Sequence, residues 1–278
     1  MKQSHLRALQ RVYLVLLFSF MYVPIAVMAV FSFNESKSRT IFTGFTFKWY
    51  KSLFHNEMIL SALGLSLVVA LIAAVVATVV GTAAAIGINA MGKRSQAVIN
   101  NISYMPVVNP EIITGVSLML LFVVVKDGIA WANQNLGWTL PENIFGLPTL
   151  LIAHISFCLP YVIFNVSPKL RQLDVRVYEA ALDLGCNPKQ AFFKVVLPEL
   201  APAILSAFLI CLTYSIDDFL ISYFTSGTTQ TLPIVIYSMT RKKVSPEINA
   251  LSTVMFLVIL AIILFYNYLD GRRERRKA

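Results

Sequence analysis

Six long apolar runs take up most of this chain and leave few ways to fold it. They cover residues 12–33, 59–90, 98–125, 147–166, 200–224 and 251–269. A helix crosses the hydrocarbon layer of a bilayer in about 20 residues, so each run is long enough to span. Of the 278 residues, 57% are hydrophobic and only 13% are charged, where soluble domains carry about 25% charged residues. Such a chain cannot be wrapped around one aqueous core. The expectation is an all-α membrane protein of six transmembrane helices, forming a single transmembrane domain over residues 1–278.

The first run follows Lys2, Arg7 and Arg11 and lacks a small-residue cleavage site. It also exceeds the ~7–15 residues of a signal-peptide core, so it reads as an uncleaved helix. Gly64, Gly81, Gly87 and many alanines in the second run permit close helix contact. The third run contains Pro106 and Pro110.

The net charge of +9 is spread over short segments beside the apolar runs and forms no single basic stripe. Nucleic-acid binding is therefore disfavoured, and the charges read as topology signals. With the N-terminus inside, the inner segments hold fifteen of the 23 Lys and Arg, including Lys93, Arg94, Lys169, Arg171 and the run 272–277. The outer segments hold Lys37, Arg39, Lys48, Lys51, Lys126, Arg241, Lys242 and Lys243. That bias predicts both termini in the cytoplasm. Phe45, Phe47, Trp49, Tyr50 and Phe54 alternate with Lys48 and Lys51, a pattern for a short segment at the outer interface. The C-terminal basic run fits a solvated anchor near anionic membrane lipid.

One polar interruption, residues 169–198, falls on the inner side. Asp174 suits the N-cap of a helix through Leu184, and Gly185 suits the left-handed position after it. Asn187 caps again and Pro188 occupies a first-turn position. A second short helix over Lys189 to Val195 is expected to stop at Pro198. The stretch EAALDLGCNPKQAFFKVVLP, from Glu179 to Pro198, resembles the EAA loop of ABC importer permeases. Glu179, Ala180, Ala181, Gly185, Leu197 and Pro198 match the pattern, and Val195 stands where isoleucine is commoner. The resemblance implies a coupling hairpin that docks on a separate ATP-hydrolysing subunit, with Glu179 in helix–partner contact and Gly185 permitting the corner. It further implies a MetI-like type I importer fold.

Residues Gly87 to Arg94 approach the phosphate-binding pattern G-x4-G-K-S/T, but Arg94 replaces the hydroxyl and the segment follows a membrane helix instead of a strand. The chain is expected to bind no cofactor itself, with ATP and Mg held by partner subunits. Cys158, Cys186 and Cys211 form no CxxC pair, and His5, His55 and His154 are too scattered for a metal site. No catalytic constellation is evident, so an enzyme is not expected.

The acids in the apolar runs carry the remaining signal. Glu111 follows Pro110, and on a straight helix it would lie ~20 Å from residue 98. Asp217 and Asp218 lie ~25 Å from Leu200 by the same rise. A charge at mid-bilayer costs at least about 2.5–3.5 kcal/mol on insertion scales. No Lys or Arg inside a run offsets them, so a wet pathway for a cationic solute is one reading. Placement at the outer surface, protonation, or hydrogen bonding to neighbours is the other. Tyr104 and Tyr214 would line the same path, although packing is the commoner role of such residues.

The segments 32–34, 44–50, 154–160 and 245–251, together with Asp217 and Asp218, are similar to the second permease subunit of spermidine/putrescine importers. The resemblance spans nearly the whole chain, apart from residues 126–146. It implies a heterodimer with a sister permease, two copies of a cytoplasmic ATPase subunit and an extracytoplasmic substrate-binding protein. It also implies residence in the bacterial inner membrane. The same machine serving another solute, and an ATP-independent channel or carrier, are the alternatives.

Overall fold

The computed structural model describes residues 2–38, 41–242 and 246–275. Arg39, Lys243, Ser245, Arg276 and Lys277, named above, lie outside them. Its helices are α1 (Lys2–Phe31), α2 (Lys48–His55), α3 (Glu57–Asn89), α4 (Lys93–Val108), α5 (Glu111–Leu136), α6 (Leu147–Gln172), α7 (Val175–Asp183) and α8 (Pro188–Ala191). A π-helical turn, Phe192–Val196, leads into α9 (Leu197–Asp217), followed by α10 (Leu220–Thr225), α11 (Leu232–Lys242) and α12 (Pro246–Arg275). Among the described residues, six helical stretches are long and apolar enough to cross a membrane: Leu9–Phe31, Glu57–Asn89, Glu111–Leu136, Leu147–Gln172, Pro188–Asp217 and Pro246–Phe265.

Three local expectations are corrected. The third apolar run is not one helix but two, α4 and α5, parted at Asn109 and Pro110. Proline drives the residue before it out of the helical region, and Asn109 is extended at ψ 136°. Pro110 then caps α5, its carbonyl accepting from Ile113 and Thr114 N–H. Glu111 thus begins a helix and is not set deep within one. The fifth run also breaks, at Asp218. Finally, the helix expected to stop at Pro198 runs through it. The backbone widens first, with Leu197 N–H donating to Phe192 C=O, five residues back. That turn accommodates the proline without ending the helix.

The chain divides into two compact units, residues 61–235 and the remainder. Within 61–235, α6 packs on α9, and a core of Ala74, Ala77, Ala85, Cys158, Val162, Val166, Ala207 and Cys211 gathers α3, α6 and α9. Small residues let these backbones approach closely. The Cys158 and Cys211 thiols each donate to the other's carbonyl, at 3.8 and 3.6 Å. Gly81 sits so near α6 that a Cβ there would fall 2.7 Å from Val162 Cβ. Gly64 and Gly87, expected in the same role, meet nothing within 4 Å.

In the other unit, α12 packs against α1 and α2, and Ser52 Oγ donates to Glu247. Buried Asn34 organises the loop after α1. Its Nδ2 donates to the carbonyls of Ser38 and Ile41, and its Oδ1 accepts from Thr43 N–H. Trp49 Nε1 donates to the Asn34 carbonyl at 2.6 Å. Phe33, Phe45, Phe47 and Tyr50 stack beside this loop. Most large apolar side chains of α1 are exposed, as lipid contact requires.

The tight α3–α6 contact gives a direct test. Gly81→Leu should destabilise the purified chain by about 1–3 kcal/mol through overpacking. Gly64→Leu should leave the thermal midpoint unchanged.

Candidate functional site

Two sites are built from the residues singled out above. The first is the hairpin of α7 and α8. Asp174 Oδ1 accepts from Arg176 N–H at 3.0 Å and starts α7. At its far end Cys186 N–H donates to Ala181 C=O and Gly185 N–H to Leu182 C=O, the paired bonds of a Schellman cap. Gly185 has φ +90°, a left-handed backbone that L side chains resist, although a Cβ there would meet open space. Asn187 and Gln190 then exchange side-chain and backbone bonds in a capping box that opens α8.

Ala181 and Ala191 are buried within the hairpin, while Glu179, Ala180 and Pro198 are exposed and Leu197 is half-buried. Val175, Val177 and Phe193 are exposed as well, and Leu184 is 86% exposed at the corner. A hairpin with so much exposed apolar side chain is shaped for contact with another surface.

The second site is the break between α9 and α10. Asp218 is extended and its carboxylate is buried. Oδ1 accepts from Ile221 N–H at 3.2 Å and Oδ2 from Ser222 N–H at 2.6 Å. His154, from α6, brings Nε2 to 3.5 Å from Oδ2. His154 Nδ1 lies 2.6 Å from Ser215 Oγ, and Nε2 lies 2.9 Å from Ser222 Oγ. Thr149 Oγ1 donates to the Thr225 carbonyl at 2.7 Å, tying α6 to the end of α10. No spacing in the sequence marks His154; the signal available was an imidazole and a carboxylate, each in an apolar run and each in need of a partner.

The remaining residues separate. Asp217 ends α9 and is exposed, on the same face as exposed Tyr214 one turn earlier. The Tyr214 ring meets Tyr161 edge-on at 4.8 Å. Glu111 is exposed in the first turn of α5. One turn on, a Cβ on Gly115 would lie 3.3 Å from the Leu220 carbonyl, so the start of α5 runs beside the break. Tyr104 stacks on Phe164 at 3.8 Å and faces a different cavity, one that Lys93 and Arg171 line. The structure therefore assembles Glu111, Tyr214 and Asp217 in one region, turns Asp218 inward, and sets Tyr104 apart.

Residues 77–278, which include both sites, match the family described as binding-protein-dependent transport system inner membrane component. The chain belongs to this family. It is 37% identical over 270 residues to the putrescine transport system permease protein PotI of Escherichia coli, covering 96% of this chain and 92% of that one. It is 33% identical over 259 residues to the spermidine/putrescine transport system permease protein PotC of the same species, covering 93% and 92%. Among solved structures it resembles a bacterial ABC transporter involved in the import of alginate, with TM-score 0.73 and 19% identity over 98% of this chain and 96% of the other. The same fold occurs in that transporter bound to an alginate-loaded periplasmic protein, at TM-score 0.73, 18% identity, and 98% and 95% coverage. The fold is that of the MetI-like importer permeases. As a member of this family, the chain is a non-catalytic, multi-pass inner-membrane subunit of an ABC importer.

The capping role of Asp218 separates it from its neighbour. Asp218→Ala should cost about 0.5–2 kcal/mol of stability, as for other lost helix caps. Asp217→Ala should change the stability of the purified chain by less than about 0.5 kcal/mol, read from its thermal unfolding.

Proposed function

We propose that this chain is a permease subunit of an importer for putrescine and spermidine. The observation that carries this reading is the 37% identity to the putrescine permease, held over nearly the whole length of both chains. The charge pattern agrees with it. Glu111 and Asp217 are exposed beside tyrosines in a region assembled from α5, α6 and α9. Carboxylates attract ammonium groups, and tyrosine faces favour cations and the methylene stems between them. Asp218 contributes by fixing the backbone that presents Asp217.

The working assembly is a heterodimer with a sister permease, two cytoplasmic ATPase subunits and an extracytoplasmic binding protein. ATP and Mg are held by the ATPase subunits, and this chain binds neither. Both termini and the α7–α8 hairpin face the cytoplasm, in keeping with the excess of Lys and Arg on that side. The exposed corner around Leu184 and the Glu179 face dock on the ATPase. Closure of the ATPase pair moves the hairpin, and α9 moves with it. Alternating access then exposes the acidic region to either side in turn.

Two measurements test this. Glu111→Gln with Asp217→Asn should raise the half-saturating putrescine concentration for uptake into vesicles by about tenfold, roughly 1.4 kcal/mol for two screened contacts. Unchanged half-saturation in a normally assembled transporter would remove the acids from the pathway. Gly185→Val forces a β-branched residue into a left-handed backbone, a strain of about 1–3 kcal/mol. ATP hydrolysis by the reconstituted complex should then continue while uptake falls; undiminished uptake would refute the coupling role.

A further inference from the structure

We propose that the open cleft lined by the end of α3, the start of α4 and the end of α6 binds a phosphate-bearing anion. The cavity measures about 1070 Å³ and lies among residues of the 61–235 unit only. Lys93 and Arg171 enter it from different helices, with Gln96, Asn100 and Asn101 between them, and no Asp or Glu lines it. Ser167 also lines it.

The charge of this lining is one-sided, and its amides can turn their N–H groups to an acceptor. An ammonium, a guanidinium and several amides present N–H donors, and an anion with several acceptor oxygens answers all of them. The guanidinium fork matches a phosphate in two-pronged fashion. A polyamine would meet like charge here, so the cavity is distinct from the Glu111–Asp217 region. Its volume is at the upper end of ligand pockets, about 300–1,000 Å³, and far exceeds the needs of inorganic phosphate. The stacked rings of Tyr104 and Phe164 supply an apolar wall beside the donors. A phospholipid headgroup with its glycerol, or a soluble phosphate ester, shares the required chemistry. Basic pockets between transmembrane helices are known to take such headgroups. Arg171 and Gln172 close α6 immediately before Asp174 opens the hairpin, so an occupant would brace the hairpin at its root.

The inference goes beyond the transport reading and does not depend on which solute is carried. The test measures binding alone. The full chain, purified in detergent, is offered phosphatidylglycerol or phosphatidylethanolamine, and retained lipid is counted by native mass spectrometry. Phosphatidylglycerol should be retained preferentially. Lys93→Gln with Arg171→Gln should weaken that retention by about tenfold or more, given about 1 kcal/mol per basic residue near anionic lipid. Lys48→Gln with Lys51→Gln, which makes the same charge change elsewhere, should not. Displacement of the lipid by millimolar glycerol phosphate would identify a soluble phosphate ester as the ligand and uphold the anion site. Equal retention of the two lipids with no glycerol phosphate binding by the unsubstituted chain would overturn the proposal, as would unchanged retention in a folded Lys93/Arg171 variant. Neither failure would bear on uptake.

Discussion

Where a helix is interrupted among buried residues, the freed backbone groups must find partners within the protein, and this constraint shapes the whole chain. A buried N–H left unpartnered costs about 1–3 kcal/mol. At the end of α9 one carboxylate meets that demand. Asp218 takes the N–H groups of Ile221 and Ser222, which would otherwise be stranded. His154 then holds the carboxylate from α6, with a serine hydroxyl at each ring nitrogen. Only the tautomer with its proton on Nε2 can donate toward that carboxylate, and Ser215 Oγ then donates to Nδ1. The same economy recurs where Ser66 Oγ accepts from Leu232 N–H at the start of α11. It recurs again where Asn34 closes the loop after α1.

Where water supplies the partners, a different logic holds. The α7–α8 hairpin is shaped almost wholly by neighbours in sequence: an aspartate cap, a glycine in the left-handed region, and an asparagine–glutamine box. Little of it depends on distant contacts, which leaves its exposed apolar side chains available for a partner. The break after α9 thus combines a local aspartate cap with a distant imidazole, whereas the hairpin rests on local contacts alone.

That division also explains what could be read before any coordinates. Asp174, Gly185 and Asn187 were legible because capping acts over two to five residues, and the motif from Glu179 to Pro198 named the family. The six apolar runs gave the fold class. The break at Asn109 was obscured because hydropathy stays high on both sides of it, although Pro110 was in plain view. His154 was invisible as a partner of Asp218, since 64 positions separate them and only the packing of α6 on α9 and α10 brings them together. Tyr104 lies seven residues before Glu111 in the same apolar run, yet α4 carries it to a cleft lined by Lys93 and Arg171. Gly64 and Gly81 look alike in sequence, and only the approach of Val162 distinguishes them.

The π-helical turn ahead of Pro198 has a mechanical consequence. Had the helix ended at that proline, a loop would have absorbed any displacement of the hairpin as slack. Instead α8, the widened turn and α9 form one unbroken rod from Pro188 to Asp217, 30 residues long and so ~45 Å at the ordinary helical rise. A torque applied at one end of a crankshaft appears at the other, and here the far end is the acid beside the break.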